Sequence, residues 1–253
     1  MKFFTYLLSF LLLCMSSMGV AAQELTVFTT GTLKGVLAEV IPEFEKKSGV
    51  HVILVNETAG VLSKMVAEGK PFDVVILPPV VLEKFAKDQK LIASSIRPLS
   101  KVGIGLATQS AALGEDLKNI SDLKGFLERS QKVAYIDPAS GGSSGIYLDQ
   151  LFKRLGWDVW VKPKAVLVQG GLAGTTLVNG QADLAIHQLS ELLQVPGIHI
   201  VGLLPEDVQS YTFYSVAVGA QSKVLDRSME FISILLSEQT AKIISKLGMT
   251  PLN

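Results

Sequence analysis

The stretch ELTVFTTGTLKGVLAEVIPEFEKKSG, from Glu24 to Gly49, decides the fold class. Leu25-Thr26-Val27-Phe28 is a short run of strand-forming residues. Leu33, Val36, Leu37, Val40, Ile41 and Phe44 then recur at helical spacing, and Ser48-Gly49 stops the helix. Val50 to Val55 follows at once as a second strand, so the segment reads as a βαβ unit of a mainly parallel sheet.

Downstream the alternation continues. A loop from Asn56 to Gly60 leads into a helix near Val61 to Glu68; Phe72 to Leu77 is a third strand, and Pro78-Pro79 opens a helix near Val80 to Asp88. Val102 to Thr108 is strand-like but thinned by Gly103 and Gly105, which suits a segment crossing between lobes. A second series then repeats the pattern. It has a helix near Ser121 to Glu128, a strand Lys132 to Ile136, a helix carrying Leu148, Leu151, Phe152 and Leu155, a strand Ala165 to Val168, a short helix near Leu172 to Val178 and a strand Asp183 to Ile186. Tyr211 to Val218 is a late strand, and helices near Arg227 to Leu236 and Glu238 to Leu247 close the chain.

Two similar halves predict an α/β fold of two lobes, each a mixed sheet flanked by helices, with a cleft between them. If the closing helices pack back on the first half, one lobe comprises residues 23–101 plus 212–253 and the other 102–211. The hinge then lies near Ser100 to Gly103 and near Gln209 to Phe213.

Ahead of Glu24, Lys2 precedes an apolar run from Phe3 to Met15 and the small residues Gly19-Val20-Ala21-Ala22, the layout of a secretory signal cut after Ala22. The run is shorter than the ~20 residues of a spanning helix, and the expected destination is the periplasm. Cys14, the only cysteine, follows Leu11-Leu12-Leu13 and not the small residue expected before a lipidated cysteine. Its removal with the signal rules out disulfides, thiolate metal sites and cysteine nucleophiles in the mature chain. The 23 basic residues balance 23 acidic ones, so no nucleic-acid or acidic-lipid surface is expected, and 48% hydrophobic residues can fill a large core.

Three loops follow a strand and open a helix: Thr29-Thr30-Gly31-Thr32, Thr58-Ala59-Gly60 and the run from Asp137 to Gly145, which includes Ser143 and Ser144. Glycines allow close backbone approach, hydroxyls donate hydrogen bonds, and helix N-termini carry unpaired N–H groups, so together the loops describe an anion cradle. Taken singly, each Thr or Ser could equally be an ordinary helix cap. No Gly-Lys-Ser/Thr loop and no GxGxxG is present, and Gly141-Gly142-Ser143-Ser144-Gly145 is too loose a match to a G-x-S-x-G elbow to count, which sets aside nucleotide hydrolysis, dinucleotide binding and a hydrolase triad. The three histidines lack metal-ligand spacing, and His51 and His199 read as structural or surface residues. His187 stands at the end of the run Leu184-Ala185-Ile186 and is followed by Gln188, where a strand delivers side chains to a cleft. It reads either as a ligand donor or as a helix-start histidine bonded to a carbonyl.

Thr30-Gly31-Thr32-Leu33, the run Glu45 to Val50, Phe72 to Leu77, and Asp137-Pro138 followed by Gly145-Ile146-Tyr147 together resemble the molybdate-binding protein family of ATP-driven uptake systems, which has a type II periplasmic-binding fold. The resemblance implies a bilobal clamp that holds an oxyanion with hydroxyls and backbone amides. The family's first serine matches Thr32; its second falls on Ala59, beside Thr58 and Gly60; its later backbone donor matches Ser144. The family's cleft tyrosine is replaced by His187, and Gln169 lies near another family contact. An imidazole beside Gln188 makes a more polar pocket that can carry positive charge, which suits a carboxylate-bearing ligand.

The stretch Ile186-His187-Gln188-Leu189-Ser190-Glu191 and the Gly-rich loop are also similar to a branch of this fold associated with aconitate isomerase. That resemblance implies an allylic proton shift on a tricarboxylate, with His187 as the residue that takes and returns the proton and Glu57 as a weaker candidate. Two functions thus stand side by side: a solute-binding protein capturing a small anion for ABC-type uptake through a membrane permease, and an isomerase. Neither calls for a cofactor or a metal, and a clamp that opens and closes is expected to be a monomer.

Overall fold

The computed structural model describes residues 23–110 and 117–252. The expected signal, 1–22, lies outside them.

β1 (Glu24–Thr29) leads into α1 (Gly31–Ser48), whose Leu33, Val36, Leu37, Val40 and Phe44 are buried as the spacing predicts. The helix ends where Gly49 turns left-handed, with φ 70°, and its N–H donates to the Glu45 carbonyl. β2 (His51–Asn56), α2 (Ala59–Ala67), β3 (Val74–Leu77) and α3 (Pro79–Lys87) complete the first series. β4 (Arg97–Thr108) is twelve residues long and starts five residues before the predicted strand. Pro98 and Ser100 hide this extension, because they read as loop residues and mark an irregularity in the pairing.

The second series runs α4 (Ile120–Arg129), β5 (Val133–Ile136), α5 (Ser143–Arg154), a single turn α6 (Asp158–Val161), β6 (Ala165–Val168), α7 (Thr175–Val178) and β7 (Leu184–Gln188). The short α8 (Leu189–Leu192), β8 (His199–Leu203), β9 (Tyr211–Val218), α9 (Leu225–Leu235), α10 (Glu238–Lys246) and β10 (Thr250–Pro251) finish the chain. The turns α6 and α8 and the two-residue β10 are too short to leave a periodic signal.

The two mixed sheets share a strand, which joins them in one path ordered β2-β1-β3-β9-β4-β7-β5-β6, with β8 and β10 also against β4. β1 is parallel to β2 and β3, and β5 is parallel to β6 and β7. β4 pairs antiparallel with β9 over Arg97–Gly103 and with β7 over Ile104–Thr108. At the changeover the Gln209 side chain joins the backbone pairing: Ile104 N–H donates to Gln209 Oε1 (2.8 Å), and the Ile104 carbonyl accepts from Gln209 Nε2 (3.0 Å) and from Leu204 N–H (2.8 Å), while Gln209 Nε2 also donates to the Leu204 carbonyl (3.2 Å). Gly103 and Gly105 are small because of this crowding. A Cβ on Gly103 would lie 2.8 Å from Leu203, and one on Gly105 would lie 3.2 Å from the Gly202 carbonyl oxygen.

Separate cores lie on either side of the changeover. One gathers α1, β1, β3 and β9 with the closing helices, where Phe44 meets Phe231 edge-on with ring centroids 5.0 Å apart. The other gathers Phe126, Leu148, Phe152 and Tyr135 around β5 and α5. Each such buried side chain contributes roughly 1.5–3 kcal/mol through apolar burial.

Candidate functional site

The N-termini of α1, α2 and α5 converge with the C-terminal end of β7 on one cavity of about 70 Å³. Its walls carry Thr30, Gly31 and Thr32 from the first loop, Asn56, Glu57, Thr58 and Ala59 from the second, and Gly142, Ser143 and Ser144 from the third. His187, Gln188 and Glu191 come from β7 and α8, Tyr214 from β9, and Gly170 and Gly171 from the turn after β6. Neither Lys nor Arg is among these residues. The positive dipole ends of the helix N-termini supply the positive potential, although at α2 the Gly60 and Val61 N–H groups are already bonded within the protein.

The first two threonines behave differently. Thr58 is an ordinary cap, since its hydroxyl accepts from Val61 N–H (3.2 Å), and it also donates to the Ser140 carbonyl (2.5 Å) on the opposite wall. Thr30 occupies the cap position of α1 and makes no capping bond. The second wall contact is backbone to backbone: Gly60 N–H donates to the Gly141 carbonyl (3.1 Å).

On the cavity floor, His187 Nε2 lies 3.4 Å from Glu191 Oε2, with the two residues 3% and 7% exposed. Thr32 Oγ1 donates to the same carboxyl oxygen (3.0 Å) and lies 3.1 Å from the Tyr214 hydroxyl. Gln188 Nε2 donates to Ser143 Oγ (3.1 Å) and Thr212 Oγ1 (2.8 Å). Burial pushes the Glu191 carboxyl up from 4.5 to about 8, against a smaller pull from the Thr32 hydroxyl. Burial holds the His187 imidazole down, from 6.5 to about 3. The Tyr214 phenol is raised, first by burial and then by Glu191. At neutral pH the floor therefore holds an uncharged imidazole beside an uncharged carboxylic acid, since burial disfavours the charged form of each.

A stability profile follows. Glu191 is protonated more readily in the folded chain, so its contribution is full below pH 4.5 and is lost as pH rises to about 8. His187 acts in reverse, with its contribution full above pH 6.5 and lost as pH falls toward about 3. The melting temperature of the unliganded protein should therefore plateau between pH 4.5 and 6.5 and decline on both sides. Scanning fluorimetry across pH checks this; Glu191→Gln should remove the alkaline decline, and a melting temperature that climbs toward pH 8 contradicts the neutral pair.

Five buried side-chain polar atoms lack a hydrogen-bond partner among the described residues, and four of them, Thr30 Oγ1, Asn56 Oδ1, His187 Nδ1 and Gln188 Oε1, belong to residues lining this cavity. An unsatisfied buried polar group costs about 1–3 kcal/mol, so their clustering marks a place for a polar ligand.

Residues 25–250 match the family described as bacterial extracellular solute-binding protein. The chain belongs to that family. It is 33% identical over 249 residues to an aconitate isomerase of Pseudomonas sp., covering 95% of this chain and 94% of the relative. It is 26% identical over 235 residues to the molybdate-binding protein ModA of Escherichia coli, covering 90% and 89%. The periplasmic molybdate-binding protein of Azotobacter vinelandii has the same fold, with a TM-score of 0.75 at 18% identity and coverage of 89% of this chain and 98% of that one.

Of the residues singled out from sequence, the fold of this solute-binding protein brings Thr30, Gly31, Thr32, Thr58, Ala59, Ser143, Ser144, His187 and Gln188 to the cavity wall, together with Glu57. Two others are elsewhere. Gln169 is exposed and donates to Asp137 Oδ2 (2.7 Å), because its side chain points away from the wall that its neighbours Gly170 and Gly171 form. Gly60 lies against Gly141 and outside the lining. His51, bonded to Glu45 Oε1 at 2.9 Å, and His199, on β8, stand apart from the site. Sequence reasoning missed Asn56, Tyr214 and Glu191 as wall residues. Glu191 had a readable signal, four positions after His187, but a carboxyl group is not what an anion cradle suggests. Tyr214 restores a phenol to the cavity from a different strand.

Proposed function

We propose that this protein closes on a small carboxylate-bearing organic anion and delivers it, as a periplasmic monomer, to an ABC-type membrane permease. The observation that carries this reading is the mixed character of the unpaired wall atoms. Thr30 Oγ1 can donate to an anion, whereas Asn56 Oδ1 and Gln188 Oε1 only accept. A bare metal oxyanion brings acceptors alone and leaves both amide oxygens unsatisfied. An organic acid with a hydroxyl or a protonated carboxyl group meets donors and acceptors together, while its ionised carboxylate faces the helix N-termini.

A second reading is favoured by the His187–Glu191 pair and by the aconitate isomerase relative, whose similarity spans 95% of this chain. In the tautomer with its proton on Nε2, His187 directs that nitrogen at Glu191 and leaves Nδ1 free to take a proton from an allylic carbon and return it at the other end of the shifted double bond. Two groups with pKa values displaced in opposite directions are a recurrent acid–base arrangement. No cofactor enters this step.

Thermal shift of the chain from Gln23 onward, against molybdate, tungstate, sulfate and a panel of di- and tricarboxylates, tests both readings. Stabilisation is expected from carboxylates. High-affinity binding of molybdate would overturn the organic-acid reading. Deuterium uptake by a stabilising tricarboxylate in heavy water, abolished in His187→Gln, would establish the isomerase; stabilisation without exchange leaves the receptor.

A further inference from the structure

We infer that Glu191 is the specificity-determining residue of this clamp, admitting an anion only while it carries a proton, so that ligand capture is coupled to proton binding. The inference deepens the carboxylate reading and rests on it.

Among the described residues that line the cavity, no Lys or Arg balances a charge on Glu191. It sits on the cavity floor, 7% exposed, and the titratable groups facing it are His187 from β7, Tyr214 from β9 and, around the cavity, Glu57 from the loop after β2. From α1 it meets Thr32, which donates to it, and Gly31. Gly31 gives the carboxyl its room: a Cβ there would collide with Glu191 Oε1 and lie 3.2 Å from its carboxyl carbon, so the Glu191 side chain would have to move. With neither Lys nor Arg in the lining, an ionised Glu191 and an anionic ligand would face each other in a closed, low-dielectric space, where like charges repel far more strongly than in water. A protonated Glu191 instead offers the ligand an O–H donor. Fixed carboxyls of this kind discriminate ligands by charge, because the wrong protonation state is excluded by repulsion and not merely bound less well.

The test is calorimetric titration with citrate as probe, from about pH 7 to about pH 9.5, where citrate is fully ionised. Above about pH 8, wild-type affinity should fall about tenfold per pH unit, with close to one proton taken up per binding event in buffers of differing ionisation enthalpy. Glu191→Gln and Glu191→Met, both permanently neutral, should bind with an affinity that does not change over the range and with no proton uptake; Glu57 is common to all three proteins. An identical pH profile in wild type and in either variant that melts cooperatively would overturn the inference. If citrate and the other carboxylates fail to bind while molybdate binds, the carboxylate reading falls, and the same comparison with molybdate decides the role of Glu191.

Discussion

Gly60→Ala should weaken ligand binding by about two orders of magnitude and leave the melting temperature of the unliganded protein nearly unchanged. The reason is where the added methyl group would go. A Cβ on Gly60 would stand 2.7 Å from Gly141 Cα and 3.3 Å from the Gly141 and Ser140 carbonyl oxygens, all of them backbone atoms that cannot rotate aside. Those atoms belong to the opposite wall of the cavity, so in the proposed clamp the clash arises only when the walls meet. Closure is also where Gly60 N–H reaches the Gly141 carbonyl and Thr58 reaches the Ser140 carbonyl. Gly60 is the second residue of α2, where alanine is a better helix former than glycine, so the open protein gains slightly. Calorimetry with the ligand found by thermal shift, beside a melting curve, separates the two effects. Wild-type affinity in Gly60→Ala would mean that the ligand is held without the two walls touching.

Gly145→Ala should act on the fold itself. Here the added methyl group would collide with the Ile136 carbonyl oxygen and lie 2.8 Å from its carbon, so the first turn of α5 would have to lift off the end of β5. Overpacking of this kind costs about 3 kcal/mol, which for a chain of this size lowers the melting temperature by roughly 6–12 °C. The same displacement carries Ser143 and Ser144 off the cavity wall, so affinity should collapse as well. Gly125→Ala on α4 is the control. Its Cβ would approach only the far end of the Arg129 side chain, at 3.0 Å, and removing a helix-interior glycine should stabilise by up to about 1 kcal/mol. A Gly145→Ala protein as stable as wild type would mean that α5 can shift without loss.

The three helix-opening loops were legible in sequence because each repeats one local event, a strand ending in Gly, Thr or Ser before an amphipathic run. His187 and Gln188 were legible because a strand reading of Leu184 to Ile186 delivers the next residues to its C-terminal end. The remaining wall residues depend on pairings that no local pattern encodes. Tyr214 faces the cavity because β9 lies antiparallel to β4 in a register that sets Tyr214 beside Ser100. Asn56 is the last residue of β2 and reads as loop. Gln169 shows the opposite failure. Its neighbours Gly170 and Gly171 line the cavity, but a nearby carboxylate, Asp137, takes up its side chain. Glu191 was the hardest to see, since its proposed role depends on the absence of Lys and Arg from the described residues of the cavity wall, a property of the assembled wall and not of any segment.

Gln209 has a mechanical meaning. Where β4 passes from one sheet to the other, the Ile104 N–H is taken up by an amide at the end of a side chain, and its carbonyl is shared between that amide and the Leu204 N–H. A backbone ladder resists bending, because its donors and acceptors are rigidly spaced and must break together. An amide on three rotatable bonds can follow Ile104 through a change of angle and keep both contacts. In the proposed clamp, relative rotation of the sheets at this point is absorbed in part as torsion in one flexible side chain.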